Sequence, residues 1–506
     1  MVLTVEPQPL TLTQVFDVAN GDSKVQLSAK SRDLVQKSRA VVDNIVANKQ
    51  VVYGINTGFG RLSDVHIPDS ELKQLQLNLV RSHAVGVGDP LSISETRAMM
   101  LLRLSVLAQG YSGARVEVLE FLVEMLNRSI HPVIPSQGSV GASGDLAPLA
   151  HLALAIIGEG ECWDGIGRQP SLEVLTKHGL KPLTLESKEG LALLNGTQAI
   201  GSVGCLALAR ALRCVHVADV IGSMTLEALM GTPSAFDHRI HEARRHQGQI
   251  DSATHLRNIL VDSEIRESHR ENDSRVQDAY CLRCMPQVHG AARNALHHVQ
   301  ETLENETGAA TDNPLVFSDS GEVISGGNFH GAPLAYALDY AAIVVTDLLS
   351  ISERRMDRLV NPDSNEGLPP FLSSHAGTSS GFMMPHVTVA ALLNDCKVLS
   401  HPASTDSVPT SGGKEDHVSM GMTSALKFRK IVENVERGLA IELLAAAEGL
   451  EYRKPLKPGT GALAAFEKLR KISPPVTHDR ALSNDIEKVA TAIRQGIFDS
   501  GLEPTW

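Results

Sequence analysis

Six cysteines in 506 residues, without regular spacing, give no disulfide scaffold, and a reducing, cytoplasmic home is expected. Positive charge is in deficit. The 46 Lys and Arg against 58 Asp and Glu leave a formal charge of -12, which opposes a phosphate backbone, so no nucleic-acid partner is expected. The opening residues MVLTVEPQPLTLTQVF lack the basic start and continuous apolar stretch of a secretory leader. Elsewhere Arg103, Arg210 and Arg213 are expected to break the apolar runs before a membrane-spanning length, so no membrane partner is expected either.

Nucleotide and metal signatures are also missing. Val85-Gly86-Val87-Gly88 lacks the complete strand, glycine fingerprint and helix of a dinucleotide site, and no phosphate loop ends in Gly-Lys-Ser or Gly-Lys-Thr. Cys281 and Cys284 have the spacing of a metal or redox pair, but no second pair follows, so no metal is expected. His238, His241 and His246 stand among Glu242, Arg244 and Arg245 and read as an exposed helix face. No repeat of fixed solenoid period and no low-complexity tail stand out.

What is present is 42% apolar composition, enough for a large core. The patterning predicts a mainly α fold, a long-helix bundle. Ser92 and Glu95 have capping-box spacing before a helix to Gln109, with Met99, Leu102 and Val106 on one face. Further helices are predicted over Val116 to Leu126, Gly190 to Met230 with a break at Asn195-Gly196, Leu334 to Leu359, and Asp416 to Ala447. Alternating strands are scarce, and the best short candidates surround Gln50 to Tyr53 and Leu315 to Val323. Small-residue segments at Gly54 to Gly60, Gly138 to Pro148, Gly326 to Gly331 and Ser404 to Gly413 read as loops that present chemistry from a stiff frame, and Ser364 to Ser380 as a connecting loop. The expected organisation is a loop-rich region over 1-200 and a helical core with the C-terminal region over 201-506, fused into one compact unit.

The most informative segment is Gly138-Ser139-Val140-Gly141-Ala142-Ser143-Gly144-Asp145-Leu146-Ala147-Pro148. By itself it is a tight glycine-rich turn in which Ser143 can cap the next helix. It also resembles the aromatic amino acid ammonia-lyases and aminomutases, which convert an internal Ala-Ser-Gly triplet into a methylidene-imidazolone electrophile. The resemblance spans about Asn48 to Pro455. It takes in Tyr53-Gly54-Ile55-Asn56-Thr57-Gly58-Phe59-Gly60, Asn195-Gly196-Thr197, Arg275-Val276-Gln277-Asp278-Ala279-Tyr280 and Ser325-Gly326-Gly327-Asn328-Phe329-His330, in family order.

The resemblance implies an elimination with a division of labour. A β-hydrogen is poorly acidic and a free amine leaves poorly, so each needs its own help. Tyr53 matches the base, and Ala142, Ser143 and Gly144 match the source of the electrophile. An unassisted phenol, with its ordinary pKa near ~10, is seldom ionised at neutral pH, so local charge or donors must favour the phenolate. Arg283 matches a carboxylate clamp, for which a planar guanidinium is suited. Asn195, Gln277 and Tyr280 match the surrounding donors, with Tyr280 counted among the catalytic groups, and Phe329 matches a wall of the site.

Ser82-His83 resembles the members of that family that act on histidine, and Glu415 in Glu415-Asp416-His417-Val418-Ser419-Met420 matches an acid near the substrate. A histidine exchanges a hydrogen bond with an imidazole that an apolar ring would leave unused. The implied reaction is conversion of L-histidine to trans-urocanate and ammonia by a homotetramer with shared active sites. Two departures bear on specificity. Gly412-Gly413-Lys414 stands where Ala-Asn-Gln is usual, and His386 where Gln is usual. A related lyase or 2,3-aminomutase acting on tyrosine, phenylalanine or a modified histidine is the alternative, followed by a non-catalytic helical assembly or regulatory protein.

Overall fold

The computed structural model describes residues 1–58, 67–165, 167–271, 273, 275–375 and 377–501. Phe59 and Gly60 of the tyrosine motif lie outside them.

The best-specified helix starts where its cap dictates. Ser92 Oγ accepts from Glu95 N at 3.2 Å and Glu95 Oε2 accepts from Ser92 N at 2.8 Å, opening the helix Ile93–Ala108. Sequence patterning assigned it one apolar face, yet every side chain from Glu95 to Ala108 is buried. Its two arginines are accommodated because each forks onto carbonyls: Arg97 reaches Val18 O and Leu126 O, and Arg103 reaches Ala192 O and Asn195 O. A buried charge is tolerated when most of its donors are taken up in this way, and of Arg103 only Nε finds no acceptor among the described residues.

The other helices follow the pattern with shifts at their ends. Val116–Asn127 and Ala332–Val360 match expectation, and Glu189–Leu194 is separated from Gln198–Ala228 at Asn195-Gly196. The helix predicted from Asp416 begins later, as Gly421–Glu451. Met420 takes φ +56°, which no helix continues, and its N–H donates to Val140 O at 2.9 Å. Gln50 to Tyr53 is not a strand. Asn56 Oδ1 accepts from Val52 N while Asn56 Nδ2 donates to Gln50 O, and these bonds fold the segment into a turn. The strand candidate around Leu315 to Val323 is two short strands, Leu315–Phe317 and Glu322–Ile324, paired antiparallel. Short pairs without a sequence signal also occur, among them parallel Val2–Val5 and Lys24–Leu27.

Gln198–Ala228 and Ala332–Val360 are long and apolar enough to cross a membrane by length and composition, so Arg210 and Arg213 do not break the run as expected. In both, 67% of the apolar window is buried inside the protein, so packing within the chain accounts for its character.

Two compact units divide the chain. The first comprises Met1–Ala209, Gln300–Asp339 and Pro402–Leu426. The second comprises Arg210–Val299, Tyr340–His401 and Lys427–Trp506. The second unit holds a buried ionic network. Asp219 accepts from Ser252, His255, His289 and Arg293, while Arg355 forks onto Glu442, which also accepts from Thr225 and Ser352. Burial opposes the Asp219 charge, but Arg293, His255 and His289 together hold it well below the usual carboxylate range. Here too His241 departs from the exposed-face reading: it is fully buried, with Nε2 near Ala235 O and Nδ1 near Gln249 Nε2, while His238 and His246 are exposed.

Candidate active site

A cavity of about 1290 Å³ opens in the first unit. Tyr53, His83, Ala142, Ser143 and Asn195 line it, together with Phe329, Lys414 and Glu415. Tyr53 sits on the turn fixed by Asn56, and the neighbouring Ile55 anchors that turn in a core cluster with Val42, Ile45 and Val316. His83 ends the helix Leu72–His83. Its Nδ1 lies 2.8 Å from Leu79 O, and a carbonyl only accepts, so Nδ1 carries the proton and Nε2 of the neutral ring is an acceptor.

The Ala-Ser-Gly turn is held from two sides. Gly144 has φ +75° and Gly196 φ +148°, and a Cβ on Gly144 would overlap Gly196 O, so these two glycines permit the backbones to stack. Asp145 N donates to Gly196 O at 2.6 Å, and Asn195 Nδ2 donates to Ser143 O at 2.9 Å. On the other side Ser143 Oγ donates to Glu415 Oε1 at 2.5 Å, so Ser143 does not cap the following helix. Burial alone would raise the Glu415 carboxyl, but the hydroxyls of Ser143, Thr410 and Ser411, with His83 nearby, bring it below its ordinary value.

Several contributors carried no assignment from the sequence. Thr410 Oγ1 and Ser411 Oγ each donate to Glu415 Oε2 at 2.7 Å. Asp145 is buried beneath the turn, accepting from Ser139 Oγ and Ile200 N, and burial pushes its carboxyl up to about 6. Its place directly after the triplet was the available signal. His330 and His417 also line the cavity and stack with their rings 5.8 Å apart.

Gln277, Tyr280, Arg283 and His386 belong to the second unit and are not among the residues lining this cavity. Asp278 anchors their segment by accepting Thr232 N at 2.7 Å and pairing with Arg275, while Val276, Gln277 and Tyr280 are exposed. The Arg283 guanidinium lies 4.6 Å over the Tyr280 ring, and its Nε is buried without an acceptor among the described residues. His386 Nε2 is 3.0 Å from Glu353 Oε1.

A helical frame around a cavity with a tyrosine, a histidine, an acid and a constrained serine turn defines an enzyme that works on a small molecule. A family model described as aromatic amino acid lyase matches residues 10–471. Histidine ammonia-lyase of Myxococcus xanthus is 53% identical over 494 residues, covering 98% of this chain and 97% of that one. The crystal structure of histidine ammonia-lyase from Trypanosoma cruzi matches with a TM-score of 0.93 and 42% identity over 100% of this chain and 96% of that one. Tyrosine aminomutase from Streptomyces globisporus matches with a TM-score of 0.94 and 37% identity over 98% of each chain. The chain belongs to the aromatic amino acid lyase family.

Proposed function

We propose that the chain eliminates ammonia from L-histidine to give trans-urocanate. The observation that carries this reading is the double hold on Ser143, Asn195 on its carbonyl and Glu415 on its hydroxyl, at the wall of a cavity that also presents Tyr53 and His83. In the elimination a proton leaves the β-carbon, ammonia leaves the α-carbon, and a double bond joins the two carbons. Tyr53, as phenolate, takes the proton. A methylidene-imidazolone formed from Ala142, Ser143 and Gly144 supplies the electrophile that makes the amine a better leaving group. The residues fit such a ring: Gly144 has no side chain to block its amide, Asn195 Nδ2 already donates to the Ser143 carbonyl, and Asn195 Oδ1 is buried without a donor among the described residues. No metal or nucleotide is called for.

His83 Nε2 accepts an N–H from the substrate imidazole, and Glu415 pairs with the imidazole or the amine. Lys414, exposed at the cavity, modulates this preference, and His386 is a second candidate for specificity. Arg283 clamps the carboxylate, for which a planar guanidinium is suited. Gln277 and Tyr280 complete the donors, with Phe329 as a wall. A homotetramer with shared sites suits the exposure of Val276 and Tyr280 and of Met383, Met384, Val387 and Val398 on the helix Met383–Leu399. The proposed setting is cytoplasmic.

Incubating the purified protein separately with histidine, tyrosine and phenylalanine, with product mass and ammonia measured, tests the reading. Histidine is expected to yield the unsaturated acid and one equivalent of ammonia. A β-amino acid would mark an aminomutase, and turnover of the other two substrates alone would mark a related lyase. His83→Leu is expected to lower the histidine-to-phenylalanine ratio of kcat/KM by roughly five-fold to more than a hundred-fold, or about 1–3 kcal/mol. General damage would lower both efficiencies and leave their ratio unchanged.

A further inference from the structure

Arg103 is fully buried in the helix Ile93–Ala108, where elimination chemistry asks for no charge. Its Nη1 donates to Ala192 O at 2.8 Å and to Asn195 O at 2.9 Å, and its Nη2 to Gln198 Oε1 at 2.6 Å. Gln198 Nε2 continues the chain of bonds to Thr311 Oγ1 at 2.8 Å. The two carbonyls lie at the C-terminal end of Glu189–Leu194, where unpaired acceptors and the helix dipole favour a cation. Close packing continues past the guanidinium. A Cβ on Gly196 would come within 2.6 Å of Nη2, and Gly196 O abuts Gly144 while accepting Asp145 N.

We propose that Arg103 is a positioning residue for the Ala142-Ser143-Gly144 turn. It fixes the Asn195-Gly196 backbone, so that Asn195 Nδ2 reaches Ser143 O and Gly196 holds the turn closed beside Gly144. The inference rests on the reading of that turn as the source of the electrophile. Ring closure joins Gly144 N to the Ala142 carbonyl carbon. The carbonyl oxygen leaves as water with the amide protons of Gly144 and Ser143, and the Ser143 hydroxyl leaves as a second water with the Cα proton. That bond requires nitrogen and carbonyl carbon held within reach, and small displacements of reacting atoms are costly. A lysine has one ammonium and cannot reproduce a fork on three acceptors. Burial lowers the Arg103 guanidinium to about 10, against the opposing charges of Asp312 and Asp145, so it stays charged at neutral pH.

The test compares full-length Arg103→Met and Arg103→Lys with Leu104→Ala, a cavity-forming change at a fully buried residue of the same helix. Peptide mass gives the fraction of residues 142–144 that has lost two waters, and Tm gives stability. The parent and Leu104→Ala are expected to be fully dehydrated despite the lower Tm of Leu104→Ala. Arg103→Met should lose at least about tenfold of the dehydrated fraction, with Arg103→Lys in between. If Arg103→Met does not fold, Arg103→Lys carries the same comparison. Full dehydration in the Arg103 variants overturns the proposal, as does a loss in Leu104→Ala that tracks its Tm. An unmodified parent would overturn the reading of the turn as well.

Discussion

Ser143→Ala is expected to remove more than about 1000-fold of kcat, equivalent to ~4 kcal/mol, while leaving the helical content intact. Without Oγ the second water has no oxygen to leave with, and the amine must depart unassisted. The effect on folding is small by comparison. The Ser143 hydroxyl bond to Glu415 belongs to the unmodified chain and is already gone from a dehydrated parent, while Thr410 and Ser411 donate to Glu415 in both proteins. Circular dichroism, steady-state kinetics and peptide mass over residues 142–144 separate the two consequences. Activity within tenfold of the parent would reject the electrophile assigned to this turn.

Tyr53→Phe is expected to lower kcat by about 10²–10⁴, the usual contribution of a positioned acid or base, with a much smaller change in KM. The ring that shapes the cavity wall is retained, and Ile55 and Asn56 still anchor the turn beneath it. Histidine deuterated at the β-carbon provides a second readout. If the phenolate takes that proton, the variant shows a larger isotope effect on kcat, because C–H cleavage then dominates the rate. Unchanged kinetics, with the triplet fully dehydrated, would reject Tyr53 as the base.

Helices were legible in the sequence where a local rule fixed them. The Ser92 and Glu95 box needed only four residues, and the Asn195-Gly196 break only two. Burial was less legible. Arg103 reads as an interruption of an apolar run because the carbonyls that accept from it lie 89 and 92 positions away. The start of the last long helix was misplaced because the left-handed Met420 is fixed by a bond to Val140, on a distant segment. His241 was read from its charged neighbours, whereas its own partners include Ala235 and Gln249. Within the cavity, residues tied to long motifs could be named in advance. Thr410 and Ser411 could not, because they act on another site residue and carry no motif of their own, whereas Asp145 stood in the Gly138 to Pro148 segment but its bonds to Ser139 and Ile200 depend on the fold.

The hold on Ser143 has a consequence for synthesis. Glu415 lies 272 positions after the serine whose hydroxyl it receives. At ribosomal rates of about 5–20 residues per second, roughly 15–55 s separate the appearance of the two residues. Contacts of such sequence separation also form late in folding, because a long loop must close before they contribute. A nascent chain stopped inside that interval carries Ala142, Ser143 and Gly144 without the carboxylate that accepts from the serine, so on the proposed chemistry formation of the reactive group would wait for completion of the fold.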